Sequence, residues 1–175
     1  MTFDQTEIPG TQMPLLASID CGKKGYIVRN DREGNLEACK MPINETGVDL
    51  YAVADLVRGY DMVLMEHPPL GGFKGQTRLT ESCCWGQFKE LYGLLAGIQV
   101  PFHTITPQVW QNEYFGFPTS KEVGKNEWKS FLWEQAQNRF PTVKKMAKDS
   151  ADSFLLYRML TALWAKDPTG ESWPG

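Results

Sequence analysis

No stretch of this sequence stays apolar for the roughly 18 residues that a membrane span needs. No CxxC pair occurs among its four cysteines, Cys21, Cys39, Cys83 and Cys84. That suggests neither a zinc site nor a disulfide framework. The thiols read as reduced ones, as in a cytosolic compartment. The opening residues, MTFDQTEIPGTQMP, lack the basic-then-apolar layout of a signal peptide. There is no internal repeat, no low-complexity tract and no EF-hand-like loop. Nor is there an excess of basic charge: the net charge is −3, which by itself does not advertise a nucleic-acid partner.

What is present is an ordinary globular composition, 42% hydrophobic and 22% charged over 175 residues, enough for one domain with a proper core. The expected organisation is a flexible arm over 1–14, one domain over 15–165 and a tail over 166–175. Leu15–Asp20 (LLASID), Tyr26–Asn30 and Leu36–Met41 read as three strands joined by a Gly-Lys-Lys-Gly turn and a DREGN turn. Val48–Arg58 has helical spacing. Asp61–Glu66 (DMVLME) is a short buried strand. A helix is expected from about Arg78 to Ala96, stopped by Gly97, then a strand over Val100–Thr106 and a short helix in TPQVWQNEYFG. A further helix should run from a Ser120 cap through Arg139, and a last one follows KDSADSFLL. The order β-β-β-α-β-α-β-α-α-α predicts an α/β fold, a mixed five-stranded sheet flanked by helices.

Two strands end in an acid, Asp20 and Glu66. If they are parallel neighbours, their carboxylates lie side by side at the strand ends, where ligands gather in α/β sheets. At 100° per residue, Asp149 and Asp152 share a helix face with Leu156, Met159, Leu160 and Leu163, so both point toward the core. Capping explains Asp149, which opens the helix, but accounts poorly for Asp152, a turn further in. A hard divalent cation would hold such acids together. Four carboxylates of this kind suit Mg²⁺ or Mn²⁺, and two ions can activate a water and stabilise a leaving oxygen in phosphodiester hydrolysis.

The segment from Lys121 to Lys148 is locally basic. Lys121, Lys125 and Lys129 recur at i, i+4, i+8, a stripe suited to a phosphate backbone or, more plainly, to solvent. GGFKGQTR is either a surface loop or a DNA-contacting one, with Phe73 stacking on bases and Lys74 and Arg78 holding phosphate. Lys148, just before Asp149, is either solvated or a ligand for the scissile phosphate. His67 reads as a hydrogen-bonded loop residue and His103 as structural. Trp110, Trp128, Trp133, Trp164 and Phe140 should pack the core or an interface between subunits. Glu81–Ala96, with small and apolar residues on several faces, is the dimerisation candidate.

SIDCG ending the first strand, VLMEHP ending the fourth and KDSADSFLL opening the last helix resemble the RuvC-like Holliday junction resolvases of the RNase H-like superfamily. The resemblance spans about Leu15 to Trp164. HTITPQVWQNEYFG and the Lys-bearing helix ending in RFP look most like the phage, poxvirus and organellar branch. The resemblance implies an RNase H-like fold, a homodimer, and a two-metal endonuclease that cuts four-way DNA junctions by paired incisions. It carries over the metal ligands as Asp20, Glu66, Asp149 and Asp152. It leans toward a virus or phage, and for such a source the cytoplasmic location expected from the cysteines would be the host cytoplasm. Cys21 stands where related sequences often have Pro or another small residue, and Gly22 is expected to let backbone approach the site. HPPLGGFKGQTR is a further departure, a long insert after Glu66. Competing expectations are an RNase H-like nuclease acting on RNA–DNA hybrid or flap DNA, a non-catalytic module binding branched DNA, and a structural metal site.

Overall fold

β1 (Leu16–Ile19), β2 (Tyr26–Asn30) and β3 (Leu36–Lys40) form the expected antiparallel meander. β4 (Met62–Glu66) then pairs parallel with β1, and β5 (Phe102–Ile105) parallel with β4. The sheet order is β3-β2-β1-β4-β5, with β1 and β4 in the middle. This computed structural model describes residues 12–22, 24–68 and 78–174, and the side chains of residues 78–83 lie outside that description. Phe73 and Lys74 therefore fall outside it, as does the Arg78 side chain.

Helices cover both faces of the sheet. Ala17, Ile19, Val63 and Met65 face a core shared with Val53 and Val57 of α1 (Leu50–Val57) and with Leu91 and Leu95 of α2 (Arg78–Gly97). Leu16, Met62 and Leu64 face the opposite way, toward Leu155, Leu156, Met159 and Leu160 of α5 (Ala151–Lys166). Strand residues alternate between faces, so Ser18 and Asp20 of one chain segment and Leu64 and Glu66 of the other belong to the α5 side. α1 starts two residues later than its periodicity predicts, because the Asp49 carboxylate accepts from the Ala52 N–H at 3.1 Å and fixes the first turn there.

α5 is held to the sheet at two points. Ser18 Oγ donates to the Ser153 carbonyl at 2.7 Å, and Ser153 Oγ donates to the Tyr26 carbonyl at 2.9 Å. One helical turn on, the Tyr157 hydroxyl donates to Asn30 Oδ1 at 2.9 Å. Asn30 is itself buried and fully used, accepting from the Leu16 N–H and donating to the carbonyls of Pro14 and Asp31. Leu155, Leu156, Met159 and Leu160 have no exposed surface, and each such burial contributes about 2 kcal/mol. The head of α5 is thus a rigid mount.

Two expected elements are corrected. The helix expected from Ser120 to Arg139 is broken in two, α3 (Ser120–Val123) and α4 (Trp128–Arg139). Gly124 sits at φ 101°, a left-handed conformation that ends α3 and redirects the chain. The cap is Thr119 rather than Ser120, its N–H and hydroxyl both meeting the Glu122 carboxylate. Lys121, Lys125 and Lys129 therefore lie on a short helix, a turn and a second helix, and form no stripe on one face. The segment TPQVWQNEYFG winds as a π-helix over Val109–Tyr114, with Trp110 fully buried.

The tail folds back on the sheet edge. Trp173 is buried against the α5-side core, and the Pro174 carbonyl lies 2.7 Å from His103 Nε2 of β5. No helix among the described residues is long and apolar enough to cross a membrane.

Candidate active site

Ile19 and Met65 are the last residues that β1 and β4 pair with each other. The next residue on each strand path is an acid, Asp20 and Glu66, and both take the α5 side. Asp152 meets them from the first turn of α5, one residue before the Ser153 carbonyl that binds Ser18. Three elements distant in sequence therefore deliver three carboxylates to one end of the sheet.

Electrostatics report how close they are. Burial, then the charge of Asp152, pushes Asp20 up to about 7, with Lys129 acting in the opposite sense and Asp149 adding to the rise. Glu66 is pushed well up by burial, then by Asp20 and Asp152. The Trp110 indole N–H lies near enough to favour its charged form, although it closes no hydrogen bond of good geometry. Burial raises Asp152 to about 6; Lys129 lowers it and Asp149 raises it. Asp152 Oδ1 is buried without a hydrogen-bond partner. An orphan buried carboxylate oxygen among like charges is costly unless a cation or proton joins it. Among the described residues, no three His, Cys, Asp or Glu side chains are spaced as a ready-made metal cage. The donor set is nevertheless the all-oxygen set that Mg²⁺ or Mn²⁺ takes.

Asp149 departs from its expected place. It lies in a 3-10 turn, Lys148–Ser150, that precedes α5, and its side chain is 58% exposed. The tighter winding of that turn rotates Asp149 off the buried face that a continuous α-helix would give it. It makes no cap; Ser150 is the N-cap and its hydroxyl donates back to the Ala147 carbonyl at 2.7 Å. Asp149 instead accepts from Lys129 Nζ at 3.2 Å.

Among the described residues, Lys129 is the cation that acts on Asp20 and Asp152. Burial lowers its pKa, but Asp149, Asp152 and Asp20 together outweigh that and raise it. Its sequence signal, a place in a lysine repeat, pointed outward along a helix and gave no hint of this contact. Lys148 turns toward α4, donating to Ser130 Oγ at 2.6 Å. Lys121 and Lys125 are exposed.

The neighbours on the α2 side are not nucleophiles. Burial, then Asp20 and Glu66, pushes the Cys21 thiol well up, which leaves it protonated and inert at neutral pH. His67 packs edge-on against Trp85 and Phe88 at 4.9 and 4.8 Å, with Nδ1 buried and without a partner. The close backbone approach expected at Gly22 belongs to Gly25. A Cβ on Gly22 would meet nothing within 4 Å, whereas one on Gly25 would overlap the Asp20 carbonyl oxygen.

This architecture recurs in solved structures. RuvC from Thermus thermophilus in complex with Holliday junction substrate matches over 90% of this chain and 98% of its own, at 13% identity and a TM-score of 0.54. A second structure of the Thermus thermophilus protein matches over 89% and 97%, at 13% identity and 0.52. The chain has a RuvC-like, RNase H-like fold. A complex of the Fowlpox virus resolvase with Holliday junction DNA agrees more loosely, at a TM-score of 0.42, 14% identity and 84% and 98% coverage. No family model and no curated protein sequence matches the chain. At these identities the RuvC-like likeness fixes the fold, and the chemistry must be argued from the carboxylates themselves.

Proposed function

We propose that the protein is a divalent-metal-dependent endonuclease that resolves four-way DNA junctions. One observation carries this: Asp20, Glu66 and Asp152 converge from β1, β4 and α5, half-buried or more, with raised pKa values and an orphan Asp152 oxygen. Buried like charges gathered from three elements fit a cation site far better than a set of caps or surface acids.

Asp20, Glu66 and Asp152 would hold the Mg²⁺ or Mn²⁺, with Asp149 joining from the rim, and the four acids are enough for a pair of ions. When bound, such ions lower the pKa of water and stabilise charge on a phosphodiester. The chain's own residues do the rest. The Ser18–Ser153 bond fixes the separation of Asp20 and Asp152. Lys129 balances the acids from the solvent side and lies where a phosphate would approach, with Lys148 beside it on the 3-10 turn. Lys121, Lys125, Phe73, Lys74 and Arg78 are assigned to the DNA around the cut. A homodimer would set two such sites across a two-fold substrate. The candidate face is α2, where Tyr92 is 48% exposed.

The test is an end-labelled panel: four-way junction, matched duplex, flap and RNA–DNA hybrid, each with Mg²⁺. Paired nicks on the junction alone support the proposal. Cutting of the hybrid or flap in its place rejects the substrate, and tight junction binding with no cut in any metal rejects the enzyme.

A further inference from the structure

Among the described residues, three buried side-chain polar atoms close no hydrogen bond: Asp152 Oδ1, His67 Nδ1 and Trp110 Nε1. Asp152 belongs to the carboxylate cluster. His67 packs on the other side of the sheet, against Trp85 and Phe88 of α2. Trp110 is left to explain. It has no exposed surface. Phe or Leu would fill a core position with no polar atom to satisfy, and a buried indole N–H is ordinarily matched by an acceptor.

The fold points to the acceptor. Glu66 is paired in register with Ile105, the last residue of β5. The His67 N–H donates to the Ile105 carbonyl at 2.8 Å, so the two chains stay together past that rung. Thr106 then opens the turn that carries Trp110. Its hydroxyl accepts from the Val109 N–H at 3.4 Å, and its carbonyl accepts from the Trp110 backbone N–H at 3.3 Å. Trp110 therefore stands one turn beyond the residue that follows the partner of Glu66. Its side chain enters the α5-side core with Leu64, and Glu66, two residues further along β4, takes that same side. The indole is close enough to act on the Glu66 carboxylate as a hydrogen-bond donor.

The ring itself is held in place. The Trp110 carbonyl accepts from the Phe115 N–H at 3.2 Å, five residues on, which is the wide bond of π winding. Phe115 packs edge-on to the indole, with centroids 6.3 Å apart. Phe115 stacks in turn on Phe117 at 5.0 Å, and the Arg139 guanidinium lies over both rings. The donor is thus fixed, and Glu66, a long side chain at a strand end, is the partner that can adjust. A carboxylate that ligates a cation is commonly oriented by an outer hydrogen bond of this kind.

We infer that Trp110 is a positioning residue for Glu66: its indole N–H donates to one carboxylate oxygen and leaves the other to face the cation. The inference rests on the metal-site reading above. Trp110 acts through Glu66 and contacts neither the cation nor DNA.

The test uses the full chain, ¹⁵N-labelled, with Mg²⁺ as the probe. Six tryptophans give six indole N–H signals, and the one missing from Trp110→Phe belongs to residue 110. In the wild type that signal should move downfield as Mg²⁺ binds, the signature of a closing hydrogen bond. Trp110→Phe keeps a ring and deletes the N–H. It should weaken Mg²⁺ binding roughly tenfold in a calorimetric titration. Its affinity for a four-way junction in EDTA should stay unchanged. A lower melting temperature with unchanged Mg²⁺ affinity would make Trp110 a packing residue and overturn the inference. So would a Trp110 signal that stays fixed while Mg²⁺ binds, a result read on the wild type and independent of how the variant folds. If neither Mg²⁺ nor Mn²⁺ binds the wild type, the metal site itself fails and the inference falls with it.

Discussion

Asp20 and Glu66 stand on the same rung of two parallel strands, one residue past the Ile19–Met65 pair. Both turn to the α5 side, where Asp152 waits in the first helical turn. Strand register, not loop conformation, sets the distance between the first two acids. The Ser18–Ser153 hydrogen bond sets the third.

Replacing Asp152 by Asn should abolish metal-dependent cutting and stabilise the metal-free fold. The amide removes a buried charge that Asp149 repels and that Asp20 feels. In EDTA at pH 8 the gain should be about 1–2 kcal/mol, read by urea unfolding. A less stable variant would show that the charge is not strained.

The pH dependence follows from the same groups. Asp20 and Asp152 are raised from 3.8 to about 7 and about 6. A carboxyl raised in the folded state binds protons more tightly there than in the unfolded chain. Its favourable contribution is complete below pH 3.8 and is lost as pH rises through the folded value. Without metal, these two groups should lower stability between about pH 4 and 7. Mg²⁺ or Mn²⁺ added at pH 8 should restore it, as a rise in melting temperature that Asp20→Asn lacks.

Lys129→Met should move the pH–activity profile upward. Lys129 lowers both Asp20 and Asp152, so its loss lets their pKa values climb further. Metal binding then needs a higher pH. A profile that keeps its midpoint while the rate falls would confine Lys129 to substrate contact.

Ser18→Ala should cost about 1 kcal/mol, since it removes the hydrogen bond that ties the Ser153 carbonyl of α5 to β1. It should also slow cutting at saturating metal, because Asp152 loses its fixed distance from Asp20. The check is unfolding and single-turnover cleavage on one preparation.

The two glycines near Asp20 should separate cleanly. Gly25→Ala forces a Cβ into the Asp20 carbonyl and should disrupt the β1–β2 turn, whereas Gly22→Ala meets open space and should leave the fold unchanged. Thermal melts of the two variants decide it.

Much of this was readable beforehand for physical reasons. The acids at the ends of two apolar runs, the DREGN turn and the continuous apolar character of β1 and β4 are local signals, and register turned them into neighbours. The rest depends on contacts between distant segments. Gly124 looks like any helix-interior glycine until its φ of 101° is known, and with it went the lysine stripe. The 3-10 turn at Lys148–Ser150 is a single short turn, yet it moves Asp149 to the rim. Lys129 meets Asp149 across 20 residues of chain, which no periodicity encodes.

The most direct test of the central claim is cleavage of an end-labelled four-way junction by wild type and Asp152→Asn, each with Mg²⁺ and with EDTA. Paired nicks by wild type in Mg²⁺, and none in the other three reactions, are predicted. Undiminished cutting by Asp152→Asn, or by wild type in EDTA, would contradict a metal site built on these carboxylates.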